Sequence, residues 1–203
     1  MTARVSKDPA STLYCDLQLE VAQAQEDFAI KFASEIDLSS FRLTGIAPSV
    51  MLGQACIESS FGGRDPKSRT INPKSRVVVS NTIFGITKPP GKFAWFTKCK
   101  TIVSTTEAVA GQGIVQDYFC VAGGYQEALD VYTQYVKENP SAPRISAMTS
   151  KPRYAWSDGD LLTLANLMHS ELNFGVGVPN YGSDVMSVIR TNALKIYDPP
   201  EKN

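Results

Sequence analysis

The chain has 203 residues, of which 43% are hydrophobic and 20% are charged, a composition typical of a globular protein with one sizeable core. Its formal net charge of zero gives no support for nucleic-acid binding through bulk electrostatics. The charge is uneven, because residues 64–100 carry nine Lys or Arg against one Asp. This basic segment predicts an anionic substrate or an acidic partner, and a solvated basic loop is the equal alternative.

The chain shows no sign of membrane insertion or metal binding. Its start lacks the apolar core of a signal peptide and no run reaches membrane-spanning length, so we expect synthesis in the cytoplasm or a mature form. The cysteines are too dispersed for the paired spacing of a zinc site, and we predict no cofactor. They are Cys15, Cys56, Cys99 and Cys120. Cys56 is predicted to be a small core residue, and the disulfide state is left open.

Apolar spacing predicts a mainly α (α+β) protein with one small β insertion. The predicted helices cover residues 13–36, 48–60, 106–120, 124–137, 158–171 and 182–197. Pro48 suits a first helical turn, and the pair Gly62 and Gly63 is predicted to end the second helix. A loop and a short antiparallel hairpin are predicted within residues 64–104, and residues 199–203 form a frayed tail.

Glu58 lies in the stretch LGQACIESSFGGRD, where the apolar pattern favours a core residue. At the end of its helix, both the helix dipole and desolvation disfavour a carboxylate, so we expect a raised pKa. A carboxyl protonated near neutral pH is what a general acid requires. Gln54 lies four residues earlier on the same helix face and is predicted to orient it. A partly buried glutamate that bonds loop amides is the alternative.

A second stretch, SNTIFGIT at residues 80–87, carries a glycine inside an apolar strand-like run, which often marks close approach of another group. Together the two stretches resemble the glucosaminidase family of bacterial cell-wall hydrolases (glycoside hydrolase family 73). Its helix pattern A-Q-x-x-x-E-S-x-x-G is matched by Gly53, Gln54, Glu58, Ser59 and Gly62, with Gly in place of the usual Ala. Its N-x-F-G-I pattern is matched, with one residue inserted, by Asn81, Phe84, Gly85 and Ile86. Residues 105–108 and 178–182 resemble further elements of the family.

The resemblance implies a lysozyme-like helical domain with a small β-hairpin lobe flanking a glycan cleft. It places that domain at residues 41–198, behind an N-terminal helical extension at residues 1–40 that packs on the core. It also implies hydrolysis of the β-1,4 bond between N-acetylglucosamine and N-acetylmuramic acid in peptidoglycan. A muramidase, a lytic transglycosylase and a non-catalytic glycan-binding domain are the alternatives.

By the same resemblance Glu58 is the general acid. Glycosidases normally use a second carboxylate, for which Glu107 is the candidate and Asp117 the fallback. A solvated glutamate at a helix start is an equally supported interpretation of Glu107. The substrate acetamido group is an alternative nucleophile, in which case no second carboxylate is essential. The predicted substrate-binding residues are Gln54, Asn81, Phe84, Gly85, Trp95 and Tyr181, although Tyr181 and the aromatic rings are also plausible as packing residues. His169, the only histidine, is predicted to be a partly buried neighbour of the core.

The resemblance also suggests a biological setting. We predict an antibacterial toxin, such as a type VI secretion effector, that is exported and acts in the periplasm of a target cell. Its expected partners are peptidoglycan glycan strands and a cognate immunity protein. A phage lytic or tail-associated enzyme is the next alternative.

Overall fold

The computed structural model describes residues 27–35, 37–38, 44–63, 83–86, 102–108, 115–121, 124–150, 155–175 and 177–199. This part of the chain is mainly helical, which confirms the predicted mainly α character of the fold. Residues 27–34 are helical, and the helices that follow are α1 (Pro48–Glu58), α2 (Ser60–Gly63), α3 (Tyr125–Glu138), α4 (Pro143–Met148), α5 (Asp158–Leu172) and α6 (Tyr181–Thr191). A 3-10 turn covers Leu194–Tyr197, and the strands are β1 (Ile102–Ala108) and β2 (Val115–Val121). In these ranges none of the helices has the length and apolarity needed to cross a membrane.

Helix α1 is the central element of the core. Residues 48–56 are all buried, so α1 is enclosed by its neighbours rather than lying on the surface. It packs against α6 and the 3-10 turn. A Cβ atom added to Gly53 would lie 3.2 Å from Cγ1 of both Ile189 and Val185 on α6. The close approach of α6 therefore explains glycine at the position where the family pattern has alanine.

The first turn of α1 is capped from the far end of the chain. Its N-cap residue, Ala47, makes no side-chain cap. Instead, the Ser49 backbone N–H donates to Oδ1 of Asp198 at 2.8 Å, and the Ser49 hydroxyl donates to Oδ2 at 2.7 Å. The Asp198 carboxylate thus satisfies donors at the positive end of the helix dipole. This cap anchors the start of the helix whose last residue is Glu58.

The other end of α1 differs from the prediction. The helix ends at Glu58, two residues earlier than expected, because Ser60 adopts a left-handed backbone with a φ of 49°. Gly62 has a φ of 80°, and an added Cβ would lie 2.7 Å from the ring of Phe28. Gly62 is therefore required for its backbone conformation and for the approach of the Phe28 ring, rather than for ending the helix.

The predicted helix over residues 106–120 is wrong. Strands β1 and β2 pair antiparallel, with Thr106 opposite Asp117 and Glu107 opposite Gln116. Two glycines interrupt the helical pattern between the strands, and β2 is rich in Val, Tyr and Phe, which favour extended structure. The hairpin that was predicted within residues 64–104 falls mostly outside the described residues.

The remaining helices agree closely with the sequence. Helices α3 and α5 match the predicted ranges 124–137 and 158–171 to within one residue at each end. The predicted helix 182–197 is divided into α6 and the 3-10 turn, because Ala193 adopts a φ of 50° between them. Helix α4 was not predicted, although Pro143 at its first turn is a standard start signal.

Candidate active site

Glu58 is held at the C-terminal end of α1 by a side chain from another helix. The Tyr181 hydroxyl, on the first residue of α6, donates to Oε1 of Glu58 at 2.8 Å. Glu58 is half-buried, whereas Tyr181 is only 1% exposed. The acid therefore sits at the edge of the core, with a buried donor behind it.

Two further side chains continue this contact into the core. Nε2 of Gln54 donates to the Tyr181 hydroxyl oxygen at 3.2 Å. The Tyr132 hydroxyl, on α3, donates to Oε1 of Gln54 at 2.5 Å. We call this chain of Tyr132, Gln54, Tyr181 and Glu58 the relay. In each of the three hydrogen bonds the acceptor is the residue nearer to Glu58 in this order, so all three bonds run from donor to acceptor toward Glu58.

The tyrosines of the relay remain neutral donors. Burial, the negative charge of Glu58 and the hydrogen bond to Glu58 raise the pKa of Tyr181 far above its ordinary value, against a smaller lowering effect of the Gln54 bond. Burial and the charge of Glu58 also raise the pKa of Tyr132. Both hydroxyls therefore keep their protons over the whole physiological range and can always donate.

The Tyr181 ring is contacted on two sides, by His169 and by Gly175. The His169 ring on α5 stacks against it, with ring centroids 5.5 Å apart and planes inclined by 25°. Nδ1 of His169 donates to the Phe174 carbonyl oxygen at 2.6 Å, which fixes the imidazole orientation. Gly175 has a φ of 65°, and a Cβ there would lie 2.0 Å from Cδ2 of Tyr181. The single histidine, predicted as a neighbour of the core, thus backs the site residue Tyr181.

Phe84 takes a different place from the one predicted, whereas the predicted substrate contact of Gly85 stays a prediction. The Phe84 ring is 4% exposed and stacks on the Tyr132 ring with centroids 4.2 Å apart. Phe32 meets it edge-on at 6.2 Å. Because both neighbours are core residues, we correct Phe84 from a sugar-stacking residue to a packing residue that supports the relay. Gly85 has a φ of 59°, which explains the glycine in this stretch.

Gln54 and Tyr181 also lie behind Glu58 rather than in the open. They are 0% and 1% exposed, and their polar atoms bond one another and their relay neighbours. We therefore correct their predicted role from sugar contact to hydrogen-bonding support of the Glu58 side chain. The predicted orientation of Glu58 by Gln54 is indirect, because the structure routes it through Tyr181.

The remaining predicted residues are less completely described. Asn81 and Trp95 lie outside the described residues. Glu107 is in strand β1, so its alternative interpretation as a glutamate at a helix start is wrong. Asp117 is in β2. Strand β2 contacts α3, the helix that carries Tyr132.

Sequence reasoning missed Tyr132. It lies on the buried face of α3, where its spacing is equally typical of a packing residue. The available signal was Gln54, since an amide within an apolar helix needs buried partners. Nothing in the local pattern indicated which helix supplies them.

The half-buried carboxyl at a helix end, with a neutral phenol donating to it, is suited to acid catalysis of the kind glycoside hydrolases use. Residues 39–194 match the glucosaminidase family, described as mannosyl-glycoprotein endo-beta-N-acetylglucosaminidase. The chain belongs to this family and is a glycoside hydrolase. No curated protein matches it.

Three solved structures are similar to the chain at low identity. The catalytic domain of the autolysin Auto from Listeria monocytogenes is 18% identical, with a TM-score of 0.43, over 97% of this chain and 92% of that one. A peptidoglycan hydrolase mutant from Sphingomonas sp. A1 is 20% identical, with a TM-score of 0.46, over 88% and 96%. A truncated glycoside hydrolase domain of Salmonella typhimurium FlgJ is 19% identical, with a TM-score of 0.39, over 84% and 94%.

Proposed function

We propose that the protein is a peptidoglycan N-acetylglucosaminidase that cleaves the β-1,4 bond between N-acetylglucosamine and N-acetylmuramic acid, with Glu58 as general acid. The observation that carries the proposal is the hydrogen bond from Tyr181 to Glu58 at the end of α1, in a chain of the glucosaminidase family. The likeness of residues 53–62 and 81–86 to the patterns of cell-wall glucosaminidases supports peptidoglycan as the glycan.

The geometry favours proton donation in a fixed direction. Because Oε1 of Glu58 accepts from Tyr181, the acidic proton is carried on Oε2 when the carboxyl is neutral. After the proton passes to the leaving oxygen, the same hydrogen bond stabilises the carboxylate that remains. Tyr181 therefore supports Glu58 in both protonation states and fixes which oxygen delivers the proton.

A lysozyme-like cleft between the helices and the β1–β2 hairpin is the arrangement in which Glu58 would meet a glycan strand. In this arrangement the hairpin supplies the second catalytic group, with Glu107 as the candidate and Asp117 as the fallback. The likeness of residues 105–108 to an element of the family supports Glu107 as the candidate.

The products of digestion test the proposed bond specificity. Purified peptidoglycan digested with the enzyme and analysed by mass spectrometry is expected to give fragments with reducing N-acetylglucosamine ends. Reducing N-acetylmuramic acid ends would show a muramidase instead, and anhydro-muramic ends a lytic transglycosylase. No release at all would favour the non-catalytic glycan-binding domain.

Replacing Tyr181 by Phe should lower kcat by about 30-fold, because loss of one hydrogen bond to a charged group costs about 2 kcal/mol. We expect KM to change little, since Tyr181 lies behind Glu58. Both constants are measured by reducing-sugar release, with circular dichroism to verify folding. A folded Tyr181→Phe variant with wild-type kcat would contradict the role of Tyr181 in supporting the acid.

The biological setting is also a proposal. The sequence predicts delivery as a type VI secretion effector or other antibacterial toxin. It also predicts action in the periplasm of a target cell and neutralisation by an immunity protein. The basic segment that would face an anionic wall polymer or an acidic immunity protein is residues 64–100. Apart from residues 83–86, which carry no charge, it lies outside the described residues.

A further inference from the structure

Two members of the relay, Tyr132 and Gln54, are fully buried and are linked to Glu58 through Tyr181. Tyr132 and Gln54 are each 0% exposed. We propose that Tyr132 and Gln54 are positioning residues that set the orientation and acidity of Glu58 through Tyr181. The inference rests on the proposed role of Glu58 as the acid and adds to it residues on α3 and α1 that act at a distance.

The chemistry of an amide fits this position. Gln54 accepts from Tyr132 through Oε1 and donates to Tyr181 through Nε2. A single amide therefore joins the two tyrosines and keeps the donor-to-acceptor order toward Glu58. A carboxylate at position 54 could only accept, and a hydrocarbon could do neither. Hydrogen bonds in such a chain polarise one another, so the donor at Tyr132 strengthens the donor at Tyr181.

The aromatic rings around Tyr132 hold the far end of the relay in place. The Phe84 ring is stacked 4.2 Å from it, and the Phe174 ring lies 5.9 Å away, centroid to centroid. In this apolar surrounding an unpaired hydroxyl or amide is costly, so the native pairing is strongly preferred. The amide of Gln54 is thereby held with Nε2 toward Tyr181.

Three titratable groups of the described residues near the relay, Tyr132, Tyr181 and Cys56, keep their protons near neutral pH and do not compete with Glu58. Tyr181 on α6 and Tyr132 on α3 remain protonated, as their raised pKa values require. Cys56, on α1, has its pKa raised to about 12 by burial and stays neutral. His169, on α5, contacts the ring of Tyr181 and bonds the Phe174 carbonyl rather than a relay atom.

The test is direct titration of Glu58 by carbon NMR of the side-chain carboxyl, with the signal assigned from Glu58→Gln. In Tyr132→Phe the ring stays in place but the first donor is lost. We expect the pKa of Glu58 to rise by about 0.3, since the weakened relay stabilises the carboxylate less. We also expect kcat to fall by roughly threefold to tenfold at unchanged KM.

Tyr135→Phe is the matched control. Tyr135 lies on the same helix, its ring contacts Phe174, and its hydroxyl donates to the Leu172 carbonyl oxygen at 3.1 Å. This variant also loses a partly buried, hydrogen-bonded hydroxyl, yet it should leave both the pKa of Glu58 and kcat unchanged. If Tyr132→Phe behaves like Tyr135→Phe in the titration, the proposal is overturned.

A double-mutant cycle with Gln54→Met tests the route. Once Gln54 is replaced, Tyr132 has no path to Tyr181, so Tyr132→Phe should cause no further change in the pKa of Glu58. An equal change in both backgrounds would mean that Tyr132 acts by another route and would overturn the relay. If Gln54→Met does not fold, the comparison of Tyr132→Phe with Tyr135→Phe decides alone.

The titration does not depend on catalysis, which separates the two proposals. A wild type that releases no saccharide, together with a raised pKa in Tyr132→Phe, would overturn the proposed function and support the relay. An active wild type whose Glu58 titrates identically in Tyr132→Phe would overturn the relay alone.

Discussion

Replacing Glu58 by Gln is expected to lower kcat on purified peptidoglycan by about 10³-fold or more, with no loss of the fold. The amide keeps the size of the side chain, and its oxygen can still accept from Tyr181. It cannot give a proton to the leaving oxygen, so the loss should fall on kcat rather than KM. Reducing-sugar release, measured beside binding of the variant to insoluble peptidoglycan, separates the two constants.

Glu138→Gln is the matched control, because Glu138 is an exposed carboxylate at the end of α3, outside the relay. It should retain wild-type activity. Hydrolysis by a folded Glu58→Gln variant at a rate near that of this control would remove Glu58 from the mechanism. It would leave the family assignment unaffected, since that rests on the match of residues 39–194.

The second large effect is expected at the hairpin. Glu107→Gln should lower kcat by about 10²-fold, because a base or nucleophile opposite the acid is then missing. Asp117→Asn should keep most of the activity. Glu107 pairs with Gln116 and Asp117 with Thr106, one register step apart, and successive positions along a strand belong to opposite faces. The two carboxylates thus occupy different register positions of the hairpin, and the two variants test them separately.

The measurement is kcat for both variants on the same peptidoglycan preparation, with thermal unfolding to establish that each is folded. A large loss in Asp117→Asn alone would transfer the role to the fallback residue. Near-normal activity in both variants would contradict a catalytic carboxylate at either position. The acetamido group of the substrate would then be the leading alternative for the nucleophile.

The sequence indicated Glu58 because the signal is local. An acid within an apolar run, followed by the glycine pair at positions 62 and 63, lies within a few residues. The partners of Gln54 are not local. Tyr132 lies 78 residues away along the chain, and Tyr181 lies 127 residues away. No periodicity within α1 could show which buried hydroxyls would meet the amide, since that depends on how three helices pack.

The errors in secondary structure have a similar origin. Residues 106–120 carry apolar spacing that suits a helix, but their conformation is decided by pairing between β1 and β2, which a single helical pattern cannot express.

Phe84 was assigned to the substrate because it belongs to a motif. Its burial against Tyr132 depends on a contact with α3 that the motif does not contain.

The cap of α1 by Asp198 has a consequence for synthesis. Ser49 and Asp198 are 149 residues apart in the chain, and Glu58 is 123 residues from Tyr181. During translation the acid therefore emerges long before the side chains that anchor its helix and orient its carboxyl. Contacts of such long sequence separation form late in folding. The site is thus completed only when residues 181–198 have left the ribosome, so a nascent chain carries Glu58 without the groups that hold it.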